Sequence, residues 1–280
     1  MKIQSAGRLG NILFIWSFAL SDSRKHERDV EIFFDKYHSI IGPEQNTTGN
    51  LLSGDEVRFK VNNSLGLLLK IVDSMENRSR SLHKILCRFF GVRGEEGSSA
   101  RNTKILRGYF QNTEHILENL EYIEDCLSNA TQEISRKSRV IQNLKVQFPK
   151  YQVIHVRLGD YVGSDFGVIN PASYLELVNQ NLPLVVCTDG TKQQVAEILK
   201  MKPDLILTPS ETNAWETLSI MGSADKFIGV NSTLSWWGAF LVGQNEKDAY
   251  LPLIWNKSNS HQDTKLSNFP GIKSYANIFF

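Results

Sequence analysis

Residues 155–161, His-Val-Arg-Leu-Gly-Asp-Tyr, combine a fixed cation with a carboxylate three residues later. The run at 151–154 predicts a buried strand, and Gly159 with Asp160 predicts a tight turn directly after it. Arginine stays charged and can donate two parallel hydrogen bonds, so Arg157 at the carboxyl end of a strand suits a diphosphate. The alternative is a plain strand and turn, with Arg157 paired to Asp160 on the surface.

A second polar segment, residues 231–238, reads Asn-Ser-Thr-Leu-Ser-Trp-Trp-Gly and follows a predicted strand at 227–230. The start of an apolar helix presents backbone N–H groups, hydroxyls and the positive end of the helix dipole to an anion. Asn231, Ser232 and Ser235 are therefore candidate nucleotide contacts. The alternative is that Asn231 or Ser232 only caps the helix.

Other candidate contacts each have a structural alternative. Asp189 ends a predicted strand at 184–188 and either touches a nucleotide or caps the next helix. Glu216 lies early in a predicted helix, where it either binds a ribose hydroxyl or favours the helix N-terminus. Gly10 and Asn11 follow the first predicted strand, and they either allow a close approach of the backbone at a binding site or only make a tight turn.

Several common catalytic motifs are missing from the sequence. It contains no GxxxxGK[ST] loop, no strand followed by GxGxxG, and neither HExxH nor GxSxG. It also has no Asp-x-Asp triplet, the carboxylate pattern that often holds a metal for a sugar-nucleotide diphosphate. We therefore predict no metal, and we expect arginine, backbone amides and helix N-termini to meet the diphosphate charge.

The elements that must position these groups alternate between strand and helix. After residue 149, strand and helix patterns alternate, which predicts a parallel sheet with both faces covered. The predicted strands are 153–156, 184–188, 205–208 and 227–230, and the helical patterns are 172–181, 191–200, 213–222 and 233–242. Earlier, strands at 1–4 and 30–34 and helices at 12–20 and 65–72 are predicted. Residues 35–63 are polar, and loops are predicted at 42–43 and 46–50. We predict two domains, 1–148 and 149–280.

Composition is typical of an ordinary globular protein, with 280 residues, 41% hydrophobic residues and a net charge of +1, which excludes a generally basic nucleic-acid binder. Three widely spaced cysteines predict free thiols. No apolar stretch has transmembrane length and no signal region opens the chain, so we predict a cytoplasmic protein. Residues 78–93 predict a basic amphipathic helix, which either makes peripheral contact with an anionic membrane surface or packs its apolar face into the core.

Five segments, taken in order, resemble glycosyltransferase family eleven, the α-1,2-fucosyltransferases. They are residues 7–11 with Phe14 and 18–20, then 108–112, 155–161, 188–189 and 231–238. The resemblance implies a GT-B-like α/β fold with two Rossmann-like lobes and a cleft between them. The first lobe would bind the acceptor and the second the GDP-sugar. Position 158 is Leu where relatives often have a second Arg.

The resemblance also implies a reaction, the inverting, metal-independent transfer of L-fucose from GDP-β-L-fucose to the 2-hydroxyl of a terminal galactose. The product would belong to bacterial surface polysaccharide or O-antigen synthesis. The galactose-terminated acceptor could be carried by a lipid. Arg157 matches the arginine that neutralises the β-phosphate. Asp160 is our first candidate for the general base, against a role in orienting Arg157 or His155. His155 is a further catalytic candidate, against a packed strand residue. Rival functions are a transferase for another GDP-sugar or linkage, and a non-catalytic sugar-nucleotide or glycan-binding module.

Overall fold

The computed structural model describes residues 1–37, 43–76, 78–94, 104–258, 266 and 268–280. By internal contacts the chain divides into two compact units, Met1–Ile123 and Glu124–Phe280. The division falls earlier in the chain than the domain boundary predicted at 148–149, because residues after Ile123 group with the second sheet. The assignment of the two predicted domains to acceptor and donor stays a prediction.

The first unit contains a parallel sheet that runs in the order β3-β2-β1-β5-β4 among the described residues. Its strands are β1 (Lys2–Gln4), β2 (Val30–Phe34), β3 (Val57–Val61), β4 (Val92–Arg93) and β5 (Ile105–Arg107). Its helices are α1 (Leu9–His26), α2 (Pro43–Leu52), α3 (Asn63–Ser74), α4 (Arg80–Phe90) and α5 (Glu114–Leu117), and α6 (Leu120–Lys137) crosses the division between the units.

The second unit contains a parallel sheet that runs, over the described residues, in the order β11-β10-β9-β6-β7-β8. Its strands are β6 (Gln152–Val156), β7 (Leu184–Thr188), β8 (Leu205–Leu207), β9 (Lys226–Ile228), β10 (Asp248–Pro252) and β11 (Ile272–Tyr275). Its helices are α7 (Arg139–Gln147), α8 (Lys192–Leu199), α9 (Ala214–Gly222) and α10 (Thr233–Gln244). Every residue of β6 and β7 is buried, as expected for central parallel strands with both faces covered.

Two predictions of secondary structure are wrong. Loops were predicted at 42–43 and 46–50, but Pro43 and residues 46–50 belong to α2, and Gly42 lies outside the described residues. The polar region 35–63 also contains β3, which was not predicted. The helix predicted at 172–181 is replaced by two short 3-10 helices, Pro171–Ser173 and Leu175–Leu177, and the chain is already extended at Val178. The other helices and strands predicted in the second half lie within a few residues of the observed ones.

Candidate functional site

The strand order of the second unit reverses at β6, which makes the carboxyl end of this strand the candidate site. The chain passes from β6 to β7 on one side, then returns to place β9 on the other side. Ligands in open parallel sheets bind where the strand order reverses in this way. The segments that follow β6 and β9 are the two that the sequence singled out, beginning at Arg157 and Asn231.

Arg157 is held in place from several sides. Its Nη2 donates to Asp160 Oδ1 at 2.6 Å, and its Nη1 lies 2.9 Å from Asp189 Oδ2. The guanidinium carbon is 5.2 Å from the centre of the Tyr161 ring, a cation–π contact. Only 12% of the side chain is exposed, and Nε is buried with no hydrogen-bond partner among the described residues. A buried donor of this kind can take a ligand oxygen as its partner.

Asp189 braces the turn that carries Arg157. Its Oδ1 accepts hydrogen bonds from the backbone N–H groups of Leu158 at 2.7 Å and Gly159 at 3.1 Å. A Cβ atom on Gly159 would collide with Asp189 Oδ2, so glycine is required for this close approach. Asp189 does not cap α8, because Thr191 is the N-cap and forms a capping box with Gln194. The capping alternative for Asp189 is therefore wrong.

The start of α10 lacks a side-chain cap. Ser232 occupies the N-cap position, but its side chain makes no capping hydrogen bond. The Asn231 amide instead donates to the carbonyls of Phe166, Gly167 and Trp255. The first N–H groups of a helix have no partner within the helix, so this end keeps its capacity for an anion. The alternative that Asn231 or Ser232 caps α10 through its side chain is wrong.

His155 and Ser235 tie the sheet to α10. His155 is 2% exposed, its Nδ1 lies 2.6 Å from Ser235 Oγ, and that oxygen accepts from the Val230 N–H at 3.1 Å. Burial, reinforced by the nearby Arg157 charge, lowers the pKa of His155 to about 4. The buried position favours the packed-strand alternative, and a catalytic role for His155 stays a prediction.

The depressed pKa of His155 makes stability depend on pH. Below about pH 6.5 the unfolded chain protonates His155 while the folded chain does not, so the free energy of unfolding falls as pH drops from 6.5 towards 4. We expect the wild type to lose about 2 to 3 kcal/mol more than His155→Asn between about pH 7 and about pH 4.5. Urea unfolding at both pH values measures the difference, and equal losses in the two proteins would contradict it.

Glu216 has structural partners on both carboxylate oxygens. It completes the capping box of α9 by accepting from the Asn213 N–H at 2.9 Å, and it accepts from Ser138 Oγ at 2.7 Å. These contacts agree with the helix N-terminus alternative, and a contact between Glu216 and ribose stays a prediction.

Tyr161 also belongs to the site, although no role was predicted for it from the sequence. Its ring makes the cation–π contact with Arg157, and its hydroxyl donates to the Asn231 carbonyl at 2.8 Å. It therefore joins the turn after β6 to the turn after β9. Its position four residues beyond Arg157 was the one feature of the sequence that could have indicated a role. The contact with Asn231 could not be predicted, because it depends on the pairing of β6 with β9.

Gly10 and Asn11 lie in the first unit, in the first turn of α1 directly after β1. Asn11 Oδ1 accepts from Gln111 Nε2 at 3.1 Å, so the segments 7–11 and 108–112 meet at the carboxyl ends of the paired strands β1 and β5. Gly7 has φ +77°, and a side chain there would collide with Asn11. The first sheet also reverses its order at β1, which makes this edge a second candidate ligand site.

Comparison with protein families gives one match, the model described as glycosyl transferase family 11, which covers residues 72–273. The chain belongs to glycosyl transferase family 11. It is therefore a glycosyltransferase, as the resemblance of the five segments predicted. No curated protein matches the chain in sequence.

Solved structures share the fold of this family 11 chain. A glycosyl transferase family 9 protein from Veillonella parvula DSM 2008 has a TM-score of 0.55 at 8% identity, over 100% of this chain and 87% of the other. NodZ alpha-1,6-fucosyltransferase, soaked with GDP-fucose, has a TM-score of 0.50 at 12% identity, over 86% and 92%. The predicted GT-B-like class, with two parallel α/β units, is confirmed.

Within the described ranges, no group of three or more His, Cys, Asp or Glu side chains is arranged to hold a metal ion. In the part of the chain that the structure describes, no helix has both the length and the apolar character needed to cross a bilayer.

Proposed function

We propose that this glycosyltransferase transfers L-fucose, with inversion, from GDP-β-L-fucose to the 2-hydroxyl of a terminal galactose. The observation that carries the proposal is the buried side chain of Arg157 at the strand-order reversal of a family 11 chain, with an Nε donor that has no partner in the described part of the chain. A GDP-sugar is further supported by NodZ, whose crystals were soaked with GDP-fucose. We assign the donor to the second unit and the acceptor to the first, with surface polysaccharide or O-antigen as the product.

In the proposed reaction, the galactose hydroxyl attacks the anomeric carbon of fucose from the face opposite GDP. Negative charge then grows on the departing diphosphate. Arg157 stabilises this negative charge through its own positive charge and through the Nε donor. The first N–H groups of α10 and the Ser232 hydroxyl, which makes no capping hydrogen bond, add further donors. Asp189 holds the guanidinium in place through the turn at Leu158 and Gly159.

We propose that these donors stabilise the charge on the diphosphate without a metal ion. Dialysis against EDTA should then leave the initial rate of GDP release unchanged. Loss of activity that Mn²⁺ restores would contradict this part of the proposal, while fucose transfer itself would stand.

Donor and linkage are tested together by incubating the purified chain with GDP-fucose and a β-galactoside, then measuring GDP release and the linkage of the product. An α-1,2-fucosylated product supports the proposal. GDP release only with another GDP-sugar, or a different linkage, favours the rival transferase. Saturable GDP-fucose binding without GDP release would favour a non-catalytic binding module.

Replacing Asp160 by Asn tests whether it is the general base. Asp160 is 61% exposed and lies 2.6 Å from Arg157 Nη2, and this contact supports a role in orienting the guanidinium. We expect a drop in kcat of about tenfold at every pH, whereas a catalytic base contributes about 10² or more. A pH–rate profile of Asp160→Asn that loses its acidic limb would instead identify the base. Asp165→Asn, an exposed aspartate in the same segment, is the control.

A further inference from the structure

Helix α4 presents an apolar surface that the described residues of the first unit do not cover. None of its residues is buried, and Leu82, Ile85 and Phe89 are 42%, 61% and 76% exposed. Helix α3 packs against α4 and also exposes Leu67 and Ile71. Large exposed apolar side chains grouped on adjoining helices indicate an interaction surface, because isolated exposed residues would be scattered.

The same helix carries a row of cations. Arg80, Lys84 and Arg88 are exposed and spaced four residues apart, so they lie along one side of α4 next to the exposed apolar residues. Residues 78–93 include five Lys or Arg and no Asp or Glu. We call these six side chains, Arg80, Leu82, Lys84, Ile85, Arg88 and Phe89, the α4 face.

A groove beside the α4 face also combines apolar and basic side chains. It encloses about 900 Å³ at the amino ends of the strands of the first sheet. Phe89 and Phe90 of α4 line it together with Leu65 and Leu68 of α3, and its cations are Lys2, Arg58, Lys60 and Lys104, against Asp29 and Glu31. An apolar lining with an excess of cations suits an amphipathic anion such as a phospholipid.

We propose that the α4 face and this groove bind the surface of an anionic lipid bilayer. An amphipathic helix with aromatic and aliphatic residues on one side and Lys or Arg on the other inserts its apolar side chains at the headgroup boundary. Each cation near an anionic surface adds favourable energy. A second copy of the chain fits the α4 face less well than a bilayer does. Pairing two α4 faces would bring Arg80, Lys84 and Arg88 of both copies together, and these like charges repel.

Vesicle sedimentation of the full chain tests the proposal without any sugar donor, so its result is independent of the proposed function. The chain should bind vesicles of phosphatidylcholine and phosphatidylglycerol, and bind weakly to phosphatidylcholine alone. Arg80→Gln with Lys84→Gln and Arg88→Gln should weaken binding about a hundredfold at low salt. Phe89→Ser should weaken it about tenfold.

Val146→Ser is the matched control, because Val146 is an exposed apolar residue on α7, in the other unit. It should leave vesicle binding unchanged, and all variants should keep the wild-type rate on a short galactoside acceptor. Equal binding to both vesicle types, or binding that the α4 variants do not alter, would overturn the proposal. The proposal would also be overturned if the chain did not bind vesicles and instead formed a dimer in solution that Phe89→Ser dissociates.

Discussion

Arg157→Ala is expected to lower kcat at saturating donor by about a hundredfold or more, the effect of removing a preorganised donor from a developing oxyanion. The variant loses both the positive charge and the Nε donor, which has no hydrogen-bond partner among the residues that the structure describes. Because the interaction strengthens as charge builds on the diphosphate, the loss should fall on kcat more than on KM for the donor. Steady-state GDP release measures both constants.

Arg157→Lys is the informative companion, since it keeps a charge but loses the planar set of donors. We expect it to recover only part of the rate. Near-normal turnover of Arg157→Ala, with a melting temperature close to that of the wild type, would refute the assigned role. A comparable loss in the exposed control Arg93→Ala would attribute the effect to general charge.

Asp189→Ala is expected to have the next largest effect, on both stability and activity. It removes the acceptor for two backbone N–H groups, at Leu158 and Gly159, and one carboxylate beside a largely buried guanidinium. Loss of one partner of a mostly buried pair and its hydrogen bonds costs about 2 to 4 kcal/mol of unfolding free energy. With the turn relaxed, kcat/KM should fall about tenfold to a hundredfold.

Asp189→Asn separates the two contributions, because an amide oxygen can still accept from Leu158 and Gly159 while the charge is gone. It should recover most of the unfolding free energy and less of the activity. Denaturant unfolding and GDP release on the same preparations provide the comparison. If Asn and Ala variants were equally stable, the hydrogen bonds to the turn would not be what Asp189 contributes.

The sequence was sufficient to predict the strand before Arg157 and the helix after Ser232, because each is a continuous apolar run next to polar residues. The partners of Arg157 were only partly predictable. Asp160 is local, but Asp189 is 31 residues from Leu158, and the contact arises only because β6 and β7 are neighbours. His155 and Ser235 are 80 residues apart and meet through the pairing of β6 with β9.

The missed strand β3 has a physical explanation. Only Val57 of its five residues is buried, because β3 is at the edge of the first sheet, so its apolar pattern is too weak to predict a strand. The residues around 172–181 failed for another reason. Apolar side chains at Tyr174, Leu175 and Leu177 fit successive 3-10 turns as well as an α-helix, and the pattern does not distinguish the two.

The central position of β1 has a consequence for synthesis on the ribosome. Lys2 pairs with Glu31 on one side and with Ile105 on the other, so β1 acquires its second neighbour only after about a hundred further residues have been translated. Until then one edge of β1 has no native partner and can pair with another nascent chain. We therefore expect the first unit to close slowly and to be the part of the chain that depends most on chaperones.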